Sequence, residues 1–168
     1  MELRDANLRR CKPSAPWYTA LMERLTFPSR DWCEAAASAL HQDPLARAAL
    51  VDFGPVVAGI VVERGAGLAS DFCLIATLVP GKRAQLRYPQ DEDELEELEP
   101  DYIAWAPHAL CKELLRAALG GAHPDPLRAI LNRQIRLRGD LQRLVRQAGK
   151  HQAAGLAAFR ALPTQLID

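Results

Sequence analysis

No stretch of this 168-residue chain is long and apolar enough to cross a bilayer. Its longest apolar runs, such as Pro55 to Val62, fall far short of the roughly 20 residues that a spanning helix needs. The first ten residues, MELRDANLRR, are charged and lack an apolar signal core. An excess of charge of one sign is missing too. Lys+Arg and Asp+Glu number 21 each, which removes the global electrostatic reason to expect nucleic acid as a partner. Cysteine is sparse: Cys11, Cys33, Cys73 and Cys111 are scattered with no CxxC pair, so they read as reduced thiols rather than a disulfide framework. These absences point to a soluble, cytoplasmic protein. Its length suits one domain whose core buries roughly 70% of the unfolded surface.

Balanced in total, the charges are unevenly placed. Asp91 to Glu99, DEDELEELE, holds seven carboxylates and no base. From Leu127 to Lys150 the bias reverses, with Arg128, Arg133, Arg136, Arg138, Arg143, Arg146 and Lys150 facing only Asp140. The plain reading is a solvated acidic loop and the outer faces of basic elements. The sharper one is a dipolar surface that orients the protein on an anionic membrane or an acidic partner.

Periodicity and capping residues divide the chain. Trp17, Leu21, Met22 and Leu25 fall at helical spacing before Pro28, which predicts a short N-terminal helix. Ser29 suits an N-cap for a helix through Trp32, Ala36, Ala39 and Leu40. Asp43-Pro44 then restarts a helix over Leu45 to Leu50. From Val56 the chain turns β-branched: VVAGIVVE, a glycine turn at Arg64 to Gly67, LASDFCLIATLV, a turn at Pro80-Gly81-Lys82, and RAQLRY read as an antiparallel meander. Tyr102 to Ala106 predicts a further strand with Ile103 and Trp105 on one face. Pro107 opens a helix that Gly120-Gly121 stops. Asp125-Pro126 starts a short helix through Ile130-Leu131. Gln134 to Arg138 alternates apolar and basic residues as a strand does, and Asp140 caps a helix through Leu141, Leu144, Val145 and Ala148. A last helix is expected from about Gln152 to Leu162.

Candidates for catalysis are weak. There is no GxxxxGKS/T, GxSxG or HExxH motif. His108-x-x-Cys111 would put two metal ligands on one helical face, but no second pair matches it. Gly65-Ala-Gly67 begins like a dinucleotide loop, yet Ser70 stands where the third glycine belongs and the segment lies between two strands. No cofactor, metal or catalytic residue is therefore assigned.

What remains is the order of elements. The stretch DYIAWAPHALCKELLRAALGGAHPDPLRAILNRQIRLRGDLQRLV resembles the C-terminal half of the sterol carrier protein 2 (SCP2)-like lipid-binding family. Its pieces run in the family's order: a strand, an apolar-faced helix, a Gly…Asp-Pro turn, a short helix, a strand of alternating basic and apolar residues, then Gly139-Asp140 and a helix. The resemblance spans roughly Pro28 to Gly149 and is strongest in the last third. It departs from the family by the insertion at Gly120 to Pro126 and by the length of the acidic run.

The resemblance implies an α+β fold, a single five-stranded, mostly antiparallel sheet covered by helices on one face. Residues 28–168 would form the lipid-binding domain and residues 1–27 a helical extension. The family's tunnel holds a lipid, a fatty acyl chain or its CoA ester. The residues expected to line it are Phe72, Leu74, Ile103, Trp105, Leu114, Leu131, Leu141, Leu144 and Phe159, each of which would serve equally as ordinary core. Non-enzymatic lipid binding or transfer is the leading expectation, with transient membrane-surface contact and a homodimer as further partners. Two others stay open: a scaffold with a filled interior in a lipid-linked biosynthetic pathway, and an acyl-substrate enzyme using Cys111, His108 or a carboxylate. A cavity above roughly 300 Å³ separates the carrier from the scaffold.

Overall fold

The computed structural model describes residues 24–142, 144–146, 155 and 157–167. Strand β1 (Leu25–Phe27) leads into α1 (Arg30–Gln42), where the Ser29 hydroxyl accepts the Trp32 N–H at 3.1 Å. Asp43 ends α1 and begins α2 (Pro44–Phe53), its carboxylate accepting the Ala46 N–H at 2.8 Å. Pro44 follows at a position where a missing N–H costs nothing. The meander comes next as β2 (Val56–Glu63), β3 (Phe72–Leu78) and β4 (Gln85–Arg87). After α3 (Glu92–Glu97) come β5 (Tyr102–Pro107), α4 (His108–Leu119), α5 (Pro126–Leu131) and β6 (Arg136–Gly139). Residues 141–142 and 144–146 are helical, with the Leu144 N–H on the Asp140 carbonyl, as the Gly-Asp signal predicted. A 3₁₀ turn (Phe159–Ala161) precedes β7 (Thr164–Leu166).

Five strands form one sheet in the order β4-β3-β2-β5-β6, antiparallel except for the central β2–β5 pair. The period of two gives this sheet two different faces. Val56, Ala58, Ile60 and Val62 of β2 share one face with Leu74 and Leu78 of β3 and with Tyr102, Ala104 and Ala106 of β5; α1, α2, α4 and α5 cover it. Gly59, Val61, Cys73, Ile75, Ile103 and Trp105 point the other way, and α3 covers part of that side. The main core joins Trp32, Cys33 and Ala36 of α1 to Val62, Leu74 and Leu115.

Two expectations need correcting. The acidic run is not a solvated loop, because its middle is α3 and Leu95 has no exposed surface. Asp91 caps this helix through the Glu94 N–H at 2.9 Å, and three carboxylates in the first turn suit the positive end of its dipole. Leu25, expected at the end of a helix, is instead in β1, which pairs in parallel with β7. The rest of that helix, Trp17 to Met22, lies outside the described residues, as do Ala148 and Gln152.

The β1–β7 pair is sewn to the helices. Trp32 Nε1–H donates to Thr164 Oγ1 at 2.9 Å, and the buried Lys112 ammonium donates to the Ile167 carbonyl at 2.6 Å. Arg160 donates to the carbonyls of Ala118 and Gly121, each at 3.3 Å.

Candidate ligand cavity

Between the helix-covered face of the sheet and α1, α2 and α5 lies a cavity of about 470 Å³. Its floor is Val56, Ala58 and Ile60 of β2, Leu78 of β3, Tyr102 and Ala104 of β5, and Leu137 of β6. Ala37 and Leu40 of α1 and Ala46, Ala49, Leu50 and Phe53 of α2 roof it, and Leu127, Ile130, Ile135 and Leu144 also line it. Protein interiors pack to crystal density, so a space this large needs a cause. The cause is small residues at facing positions. Alanine at 37, 46, 49, 58 and 104 leaves open the volume that leucines would fill, and Ile60 of the central strand keeps 37% of its surface exposed. Among the described residues the lining is apolar apart from Tyr102 and three bases, His41, Arg47 and Lys82, and includes no carboxylate.

The nine residues expected to line a tunnel are scattered. Leu144 lines the cavity. Ile103 and Trp105 face the opposite side of the sheet, where they pack with Leu95. Arg136 and Arg138 stack on the Trp105 ring there, at 5.1 and 5.9 Å from its centroid, while pairing with Glu63 and Glu96 at 2.8 and 2.7 Å. Leu74 is in the main core and Phe72 packs against it. Phe159 meets Trp32 edge-on at 5.6 Å, and Leu114 packs beside Ala106, Ala129 and Ile135. Leu131 is 65% exposed, and Leu141, 42% exposed, lies in a separate groove with Val145. The expectation favoured bulky residues. Bulky residues fill space, so the actual lining is signalled by the alanines of EAAASAL and LARAALV.

The groups considered for catalysis lie outside this lining. His108 is buried at the start of α4, its Nδ1 3.0 Å from the Ala66 carbonyl oxygen. The Cys111 thiol points at the Ala106 carbonyl; burial first, and the Glu63 carboxylate second, push it up to about 11. Cys33 is pushed up to about 12 by burial and then by Glu34. A thiol held this far from ionisation is a poor nucleophile. Among the described residues, no three His, Cys, Asp or Glu side chains gather where they could hold a metal.

Solved structures match this arrangement. A crystal structure of sterol carrier protein 2 superposes with a TM-score of 0.59, covering 80% of this chain and 97% of that one at 17% identity. The chain has the SCP2 fold. A conserved hypothetical protein from Thermus thermophilus superposes equally, with a TM-score of 0.59 and 18% identity over 82% of this chain and 90% of its own. A UbiJ-SCP2 ubiquinone synthesis protein is more distant, with a TM-score of 0.47 and 17% identity over 79% of this chain and 96% of that chain. No family model matches the sequence, and no curated protein matches it. The SCP2 likeness is therefore one of three-dimensional fold.

Proposed function

We propose that the protein binds an apolar lipid or fatty acyl ligand, free or as its CoA ester, in the cavity beneath α2 and carries it without chemical change in the cytoplasm. The cavity itself supports this reading: at about 470 Å³ it lies within the roughly 300–1,000 Å³ of ligand pockets, whereas a scaffold with a filled interior would have none. Affinity needs little specific chemistry. Burying ~300 Å² of acyl chain at ~25 cal/mol per Å² is worth about 7 kcal/mol before the cost of association. The raised Cys33 and Cys111 thiols support carriage over covalent catalysis.

Native mass spectrometry and organic extraction of the purified protein, with titration of a fluorescent sixteen-carbon fatty acid, test the proposal. Bound lipid or saturable probe binding is expected. Ala104→Phe and Ala49→Phe place a ring in the cavity from its floor and its roof, and each should abolish probe binding while far-UV circular dichroism stays unchanged. Failure of the wild type to bind any apolar ligand would overturn the proposal, as would full binding by both folded variants.

A further inference from the structure

The strand order leaves the sheet with two edges, β4 and β6. Residues flanking the first are tied to α1: Arg83 pairs with Glu34 at 3.2 Å, and the Tyr88 hydroxyl donates to the Arg30 carbonyl at 3.3 Å. Among the described residues β6 pairs with β5 alone. Its outer side is therefore an edge at which a further strand can add.

Charged side chains on an edge strand ordinarily block such pairing, but those of β6 are turned inward. Arg136 and Arg138 lie over the ring of Trp105, which belongs to the inner neighbour β5, and they end on Glu63 of β2 and Glu96 of α3. Each guanidinium reaches back across the sheet to its own carboxylate, which leaves the outer edge clear of both.

Exposed apolar side chains stand at both ends of this strand. Leu131, 65% exposed, ends α5 just before β6; Leu141 and Val145, each 42% exposed, follow β6 and line a shallow groove. Their sequence neighbours Ile130 and Leu144 line the cavity, so both flanking segments sit on the helix-covered side of the sheet.

We propose that a second copy of this chain pairs antiparallel with β6 and continues the sheet across a two-fold axis. Antiparallel pairing brings the N-terminal end of one β6 beside the C-terminal end of the other. Leu131 of each copy then meets the groove of Leu141 and Val145 on the other, and the contact is made twice. The patch is self-complementary, as a two-fold interface requires. A parallel strand would set Leu131 beside Leu131 and leave both grooves unfilled. Arg136 of one copy comes near Arg138 of the other, a repulsion that Glu63 and Glu96 offset within each copy. With four residues in β6, the interface falls toward the low end of the roughly 1,200–2,000 Å² that specific interfaces bury, so association is reversible. It stands whether or not the cavity holds a lipid.

Sedimentation velocity of the full chain from about 1 μM to 1 mM should show the mass doubling as concentration rises. Leu131→Glu alone and Leu141→Lys alone should each weaken association about tenfold or more, because each places a charge where the contact excludes water. Far-UV circular dichroism should stay unchanged, since both positions are exposed in the single chain. Mixed in equal amounts, the two variants should form a dimer again: one contact then joins opposite charges and the other joins native leucines. Leu45→Glu, at an equally exposed position on α2, should leave the dimer intact. A wild type that is monomeric throughout the range would overturn the proposal. So would a dimer that survives both single substitutions, a mixture that stays monomeric, or a dimer lost in Leu45→Glu.

Discussion

At the scale of single residues, Gly59 and Leu95 make one joint. A Cβ on residue 59 would stand 2.9 Å from Leu95 Cδ2 and 3.2 Å from Ile103, so a side chain there would force the buried Leu95 side chain to shift. Leu95→Ala is expected to cost about 2–4 kcal/mol in urea unfolding, the usual range for a buried leucine. Gly59→Ala should also destabilise, and the double variant should lose less than the two singles together, because the shortened residue 95 makes room for the added methyl. Additive losses would show that the two residues do not share this contact. The thiols give a second expectation. Cys33 and Cys111 keep their protons in the fold up to about 12 and 11, against an ordinary 9, so the unfolded chain ionises first as pH rises. Stability from these groups is intact below about pH 9 and falls above it. Unfolding measured from pH 7 to 10.5 should show that decline, and Cys33→Ala/Cys111→Ala should flatten it relative to the wild type.

At the scale of elements, what the sequence revealed depended on local chemistry. The caps at Ser29, Asp43 and Asp125 each accept the N–H three residues on, and the glycine turn and period-two strands formed as read, since these signals act over a few residues. Helix α3 was hidden because its burial comes from a pit that Gly59 opens in a distant strand, while its own sequence looks like solvated charge. Strand β1 was hidden because its partner lies at the far end of the chain. Which face of β5 meets the cavity was equally undecidable from alternation, since Tyr102-Ala104 and Ile103-Trp105 are both apolar sets. The terminal segment allows a direct test. Thr164→Val keeps the shape but leaves the Trp32 indole N–H without its acceptor, which should cost about 1–3 kcal/mol and appear as a lower urea midpoint with an unchanged slope. A loss below a few tenths would mean the bond contributes nothing.

At the scale of the whole molecule, the order of elements was legible as a fold, while the cavity was not, since a void is defined by what fails to meet across it. The acidic helix α3 and the arginines Arg136 and Arg138 lie on one side of the sheet, and the three bases that line the cavity lie on the other. Occupancy should stabilise the entire domain. At a hundred times its Kd, a ligand that binds only the folded state adds about 2.7 kcal/mol, which for a chain of this size raises Tm by roughly 5–10 °C in a thermal melt. No shift with saturating hexadecanoate would contradict the proposed site.

The pairing of β1 with β7 also sets what the chain must contain before its seam can close. Leu25 meets Thr164, and Phe27 meets Leu166, a separation of about 140 residues that makes this contact among the most non-local in the fold. As the ribosome releases the chain, the five-stranded sheet can close while Trp32 still lacks Thr164 and Lys112 still lacks the Ile167 carbonyl. A chain truncated before residue 164 would keep all five strands of the sheet and leave the seam open.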